Sequence, residues 1–217
     1  TVATRHSTNG TSFTNTTSAP IARMMSEYQN RMYAIGTAST FFWSNAGTPT
    51  NWTDDSSSIN IPGPGRLHTL MKINDRLVTG KNSGVQHRWD GFQLVDMATR
   101  LAPTSRMSIA EVEGYHFGLN TLGFFGYGGG KPEILSNAIE KQIYNDLGSA
   151  IIGTTFDNAQ AVAHQYEYMC SIGTVTEDLT NETIPNALAV YDYQTNEWFN
   201  RTFADRPTAW LSYRDAS

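Results

Sequence analysis

A strand hairpin that recurs along the chain constrains its fold more than any other feature. Segment 30–36 predicts a short alternating strand that ends in a turn, and segment 40–44 predicts a second strand. Segments 75–80 and 84–91 repeat them about 45 positions later. Recurrence of a hairpin at intervals of about 40 to 50 residues is typical of β-propeller blades. A single blade has two apolar faces, and stacking blades around an axis covers both of them.

Two further copies follow, and the start of a fifth. The sequence therefore predicts an all-β chain, a partial β-propeller with about four recognisable blade-like repeats and one inserted helix. An irregular β-sandwich or barrel of similar length is the alternative that the same pattern allows. The repeats are predicted near 30–60, 61–101, 105–150 and 160–204, and the incomplete copy starts near 208.

The two ends of the chain differ from its middle. Residues 1–19 are rich in Thr, Asn and Ser, which predicts a polar arm or loop, whereas residues 20–217 form the predicted propeller portion. The first residue is Thr1 and the repeats are cut within a unit at both ends. We therefore expect the sequence to be part of a longer chain.

One segment breaks the rhythm of the strands. Between residues 132 and 146, apolar side chains recur at positions 134, 135, 138, 139, 143 and 144. That spacing favours a helix, and Pro132 near its start with Gly148 past its end supports the same boundaries. The sequence thus predicts a helix over about 132–146 that packs on its own domain.

Composition excludes several classes of function. The 217 residues carry a net charge of −5 and only 16% charged residues, which argues against an electrostatic nucleic-acid binder. A single cysteine, Cys170, excludes an internal disulfide framework and a cysteine-rich zinc site. No apolar run approaches the roughly 20 residues that a membrane span needs.

Motifs for catalysis and cofactor binding are weak. The glycine-rich run 126–131 lacks the first glycine of a phosphate loop, and Pro132 stands where Ser or Thr would bind magnesium. Glu111 and Glu113 lie two apart, so on a strand both would face one side and could serve glycoside hydrolysis, although a solvated face is the simpler interpretation. No catalytic residue, cofactor or metal site is predicted.

Aromatic residues cluster at strand ends and turns. On a propeller they can stack on sugars or touch a neighbouring subunit, but they also fill the wedge between blades, which accounts for most of them. The sequence offers three of them as candidates for a ligand or inter-subunit contact: Trp52, Trp89 and Tyr127.

Several short pieces of the sequence, spread in order over residues 20–213, form a pattern together. They include Asn30-Arg-Met-Tyr-Ala-Ile-Gly36, Ser44-Asn-Ala-Gly-Thr-Pro-Thr-Asn-Trp52, Asp75-Arg-Leu-Val78, Trp89-Asp-Gly-Phe92, Ser105-Arg-Met-Ser-Ile-Ala110, Leu122-Gly-Phe-Phe-Gly-Tyr-Gly-Gly129 and Tyr191-Asp-Tyr193 with Asn196-Glu-Trp198. These pieces resemble the β-propeller region of tailed-bacteriophage structural proteins. The family includes the nozzle, or tail tubular protein B, of short-tailed phages and related tail and neck proteins. The strands also resemble kelch-type blades.

The resemblance implies a non-catalytic structural component of the virion. Such a protein forms a homo-oligomeric ring in the tail or neck, touches portal, adaptor, fibre or other tail proteins, and meets the exiting DNA only transiently. The family carries no catalytic residues to transfer. A surface with few lysines and arginines would let DNA slide past.

Two other functions stay open at the level of sequence. A carbohydrate-binding or receptor-binding propeller would need exposed aromatics beside paired carboxylates, for which Trp52, Trp89, Glu111 and Glu113 are candidates. A kelch-like interaction domain would instead hold a protein partner through its loops.

Overall fold

The structure is a computed structural model that describes residues 5–6, 14–16, 18–36, 38–53, 57–73, 75–139, 159–176 and 183–202. The chain divides into two compact units, Thr1–Ala102 and Pro103–Ser217. Each unit contains two four-stranded antiparallel sheets, which we call blades 1 to 4 in chain order.

The first unit holds blades 1 and 2. It begins with a short antiparallel pair, β1 (Arg5–His6) and β2 (Thr14–Asn15), inside the segment predicted as an arm or loop. Blade 1 consists of β3 (Met24–Tyr28), β4 (Arg31–Ile35), β5 (Thr40–Trp43) and β6 (Ser57–Asn60), and blade 2 of β7 (Leu67–Ile73), β8 (Arg76–Lys81), β9 (Gln86–Trp89) and β10 (Leu94–Asp96).

The second unit holds blades 3 and 4, each with its strands paired in chain order. Two short 3₁₀ helices accompany them, Arg106–Ser108 before blade 3 and Ser136–Ile139 after it. Blade 3 consists of β11 (Ala110–Val112), β12 (Tyr115–Asn120), β13 (Gly123–Tyr127) and β14 (Glu133–Ile134), and blade 4 of β15 (Ala161–His164), β16 (Glu167–Thr176), β17 (Thr183–Asp192) and β18 (Glu197–Thr202).

The first two strands of every blade are separated by two residues. In blade 1 the turn residues Gln29 and Asn30 have φ of 45° and 61°, a left-handed pair whose twist matches that of the strands it joins. The tightness of these turns fixes the register of the hairpins. The closing residue pairs are Tyr28 with Arg31, Ile73 with Arg76, Val112 with Tyr115, and His164 with Glu167.

Each unit has its own apolar core between its two blades. In the first unit β3 and β4 pack against β7, and in the second β11 packs against β15 and β16. Burial of these apolar faces is the main favourable contribution to folding. The first core is built around Tyr28, Tyr33, Ile35, Phe41, Leu67, Leu70, Leu77 and Trp89, and the second around Phe117, Leu119, Phe124, Tyr168, Cys170, Ile172, Ala187, Ala189 and Tyr191.

Buried serines connect blade 3 to the beginning of blade 4. Ser105 Oγ donates a 2.7 Å hydrogen bond to the carbonyl oxygen of Ala159, and Tyr168 Oη donates one of the same length to the carbonyl of Ser108. Ser108 Oγ also accepts from the Leu119 amide at 3.2 Å. These bonds satisfy polar groups that burial would otherwise leave without partners.

The predicted helix over 132–146 is wrong for the part that the structure describes. Glu133–Ile134 form strand β14, which pairs with Phe125 and Gly126 of β13, and only Ser136–Ile139 make a single 3₁₀ turn. Residues 140–146 lie outside the described residues. The apolar spacing arises because Leu135 and Ile139 pack into the core of the second unit.

The predicted fold class is confirmed. The chain is all-β, and its four successive antiparallel meanders are blades of the β-propeller type. The short strands predicted in each repeat coincide with β4, β5, β8, β9, β12, β13, β16, β17 and β18.

Candidate functional site

The three aromatic residues offered as contact candidates lie in the interior. Trp52, Trp89 and Tyr127 are 7%, 3% and 1% exposed, respectively. The Trp89 ring packs against those of Tyr33 and Phe41, with centroids 6.1 and 5.5 Å away. Their side chains therefore offer no surface to a ligand or a subunit, which corrects that prediction. Large aromatic rings are the groups whose burial stabilises such a core most.

The two glutamates proposed as a carboxylate pair do not share a strand face. Strand β11 ends at Val112, and Glu113 lies in the following turn with φ of 50°. Glu111 Oε2 is instead 3.6 Å from Nε2 of His116, its cross-strand neighbour. The arrangement needed for glycoside hydrolysis by these two residues is therefore not present.

The described part of the chain contains neither a cluster of metal ligands nor a membrane-crossing helix. Among those residues, no group of three or more His, Cys, Asp or Glu side chains is placed to hold a metal ion. The same residues include no helix with the length and apolar character needed to cross a bilayer.

A cavity of about 290 Å³ lies within the second unit, and we call it the tyrosine pocket. Blade 3 supplies residues of β12, the glycine-rich segment after β13 and residues around β14, while blade 4 supplies the end of β17. Most of the lining is aromatic or glycine. The lining residues are Tyr115, Phe117, Gly126, Gly128, Gly130, Lys131, Glu133, Leu135, Tyr191 and Tyr193.

Two tyrosines from different blades meet in this pocket. The rings of Tyr115 and Tyr193 have centroids 5.1 Å apart and planes inclined by 39°. The Tyr193 amide donates to the carbonyl oxygen of Tyr166 at 2.9 Å, which fixes the backbone below the ring. Desolvation raises the pKa of the Tyr193 hydroxyl, and Tyr115 and Glu113 act in the same direction. The hydroxyl is therefore protonated at neutral pH and can donate a hydrogen bond.

Glycines give the pocket its shape. A Cβ atom at Gly128 would lie 2.6 Å from the Tyr115 ring, so that ring rests directly on the backbone. At Gly130 no atom lies within 4 Å of the same position, so the space there is open. Lys131 and Glu133 follow, and both are exposed.

A second cavity, of about 520 Å³, lies within the first unit and contains a buried lysine. Lys81 is 1% exposed, and its Nζ donates to the carbonyl oxygens of Ile61, Pro62 and Gly63 at 2.8, 2.9 and 2.9 Å. All three protons of the ammonium are therefore used. Burial lowers the pKa of Lys81.

His87 lines the same cavity and is 8% exposed. Its Nδ1 atom is buried without a hydrogen-bond partner among the described residues. Burial lowers the pKa of His87, and the Lys81 charge acts in the same direction, whereas Asp96 opposes them. The imidazole is thus held in its neutral form, and the cavity combines a cation, a neutral ring and the Asp96 carboxylate.

Sequence reasoning missed the tyrosine pocket although it noticed the segments that build it. The run 126–131 does not match a phosphate loop, and Tyr127, the contact candidate that it contains, is 1% exposed. Tyr115 and Tyr193 each lie next to a turn, outside the buried middle of a blade. This position next to turns was the only indication in the sequence that the two rings are exposed, and it does not show which blade ends lie together.

Comparison with known proteins gives no family. No protein-family model matches the sequence, and no curated protein matches it. Among solved structures, the computationally designed Ika8 protein is similar at 12% identity with a TM-score of 0.47, over 82% of this chain and 48% of that one. BamB from Moraxella catarrhalis is similar at 12% identity with a TM-score of 0.36, over 83% of this chain and 69% of that one. The chain thus spans about half the length of the designed protein.

Proposed function

We propose that this protein is a non-catalytic structural component of a tailed-phage virion, a nozzle-type tail protein or a neck protein. In this proposal several copies form a ring around the DNA channel and contact portal, adaptor, tail or fibre proteins. The ring belongs to the particle, and exiting DNA touches it only transiently.

The observation that carries the proposal is the position of the matching segments within the blades. Segment 30–36 is a first-hairpin turn with strand β4, and segment 75–78 has the same place before and within β8. Segment 122–129 contains the third strand of blade 3, β13. Segment 191–198 closes the hairpin between β17 and β18. Pieces that resemble one family therefore lie in the strands and hairpins of the blades, and two of them occupy equivalent positions in blades 1 and 2.

The charge of the chain is compatible with a DNA conduit. A protein that grips DNA does so mainly through lysine and arginine contacts to phosphates. Here 15 such residues are outnumbered by 20 acidic ones, giving a net charge of −5. A wall with this balance would not retain the passing duplex.

Quantitative mass spectrometry of gradient-purified phage particles from the source culture tests the proposal. We expect the chain, or a longer chain that contains it, to be present at a small and constant ratio to the major capsid protein. The particle-free supernatant of the same lysate is the control. Recovery in the supernatant alone would reject the virion role and favour the kelch-like alternative.

Ring formation needs a separate measurement. Sedimentation velocity of the purified protein should show a species several times the mass of the 24.0 kDa chain, and its share should rise with concentration. Negative-stain images of that species should show a central opening. A chain that sediments as a monomer at every concentration would contradict the ring while leaving the particle assignment to the mass spectrometry.

A further inference from the structure

We propose that the tyrosine pocket of the second unit binds the ring of a neutral pyranose sugar. This inference goes beyond the role in a particle and does not depend on it. The residues that sequence analysis offered for a sugar-binding face, Trp52 and Trp89, are buried in the first unit, so the pocket is a different site.

Two neighbouring tyrosine rings form one wall of the pocket. Tyr115 is 42% exposed, and Tyr193, 5.1 Å away between centroids, is half-buried beside it. Tyrosine presents an apolar face and a hydroxyl on one rigid side chain. The apolar C–H face of a pyranose can lie on such a ring while its hydroxyl groups reach polar partners.

Two exposed residues of opposite charge form the polar rim of the pocket. Lys131 and Glu133 both line the pocket and are exposed, so one donor and one acceptor of opposite charge face the same space. For an anionic or a cationic ligand, attraction to one of these groups is offset by repulsion from the other, so a charged ligand gains little from the pair. A neutral polyol can satisfy both, because each sugar hydroxyl donates and accepts.

Size and shape select a single ring. The volume of about 290 Å³ is near the lower end of ligand pockets, which span roughly 300–1,000 Å³. Gly126 and Gly128 let the side chains of Leu135 and Tyr115 pack directly on the backbone, and only at Gly130 is the neighbouring space open. For a ligand as small as one hexose, a dissociation constant on the order of 1 mM is expected.

Saturation-transfer NMR with four methyl glycosides tests this inference. The probes are methyl α-glucoside, methyl α-mannoside, methyl β-galactoside and methyl β-N-acetylglucosaminide, each at millimolar concentration, with adenosine as a flat aromatic competitor. We expect transfer from the protein to the ring protons of at least one glycoside. No transfer to any of the four, or stronger transfer to adenosine, would overturn the inference.

Two variants locate the signal. Gly130→Leu should weaken it, because this residue lines the pocket, its backbone is outside the left-handed region and no atom lies within 4 Å of an added Cβ, so a bulky side chain can be placed there without disturbing the fold. Tyr193→Ala should weaken binding about tenfold through loss of ring contact. Phe92→Ala, which removes a ring that is 93% exposed in the first unit, is the control and should leave the signal unchanged. Circular dichroism melting confirms that each variant is folded, and a signal that survives both pocket variants would also overturn the inference.

Discussion

Trp89 Nε1 donates a 3.2 Å hydrogen bond to Tyr33 Oη inside the core of the first unit. Tyr33 belongs to β4 of blade 1, and Trp89 belongs to β9 of blade 2. The bond therefore joins two blades through the polar atoms of two otherwise apolar side chains. Burial raises the pKa of Tyr33, so its hydroxyl keeps its proton and accepts through oxygen.

Replacing Tyr33 with phenylalanine should destabilise the protein. The change removes one oxygen and leaves the buried Trp89 N–H without its acceptor, which costs about 1–3 kcal/mol. Urea unfolding followed by tryptophan fluorescence measures the loss. Tyr166→Phe, at a tyrosine that is 42% exposed, is the matched control and should stay within about 0.5 kcal/mol of the parent. Equal effects of the two variants would contradict the role of the hydrogen bond.

Lys81→Met should also destabilise the first unit. It leaves three carbonyl oxygens without their donor, and the gain from no longer burying an ammonium offsets only part of this, so we expect a loss of about 2 kcal/mol. Hydrogen exchange should quicken at the amides of Ile61 and Gly63. Lys72→Met, at an exposed lysine of β7, should change neither measurement. An unchanged exchange rate at Ile61 would show that the lysine does not hold this segment.

His87 should make stability depend on pH. Its pKa in the folded protein lies below 6.5, so the unfolded chain binds the proton more readily. The free energy of unfolding should therefore fall as the pH drops through 6.5, and level off below the folded pKa. His87→Gln should flatten the curve between pH 7.5 and 5, whereas His164→Gln, at an exposed position, should not. Identical slopes for His87→Gln and the parent would refute this assignment.

The single cysteine should report unfolding. Burial raises the pKa of Cys170 to about 12, so little thiolate exists at pH 8 and no solvent reaches it. Iodoacetamide should label the native protein more than about a hundredfold more slowly than the protein in urea. A Thr195→Cys variant on a Cys170→Ser background, with its thiol in an exposed turn, should react readily without denaturant. Fast labelling of native Cys170 would mean that the core of blade 4 opens often.

The strands of the blades could be predicted because their local sequence pattern favours the same strand conformation that the fold requires. Segments 30–36 and 123–127 have alternating or continuously apolar sequences bounded by turn residues, and both are strands within a residue or two. The helix prediction over 132–146 was wrong because strand pairing outside the segment overrides its local pattern. Its apolar spacing fits a helix, but pairing of Ile134 with Phe125 at the edge of blade 3 decides the conformation, and that partner is distant from the local pattern.

The candidate site could not be predicted because sequence does not show which aromatic residues are covered. Trp89 and Tyr115 both lie near strand ends, yet one is 3% and the other 42% exposed. The partner of Tyr115 is Tyr193, 78 positions later, and the two meet only because blades 3 and 4 are neighbours in the second unit. The charged residues of the rim, Lys131 and Glu133, gave no pattern of their own.

The short connection between the first two strands of each blade limits where a peptide tag can be inserted. A peptide tag placed between Tyr28 and Arg31 would break a register that the turn itself sets. The third and fourth strands of blade 1 are separated by thirteen residues, and those of blade 3 by five. A short affinity tag in the longer of these loops should leave the pairing intact and serve as a handle for isolating assembled complexes.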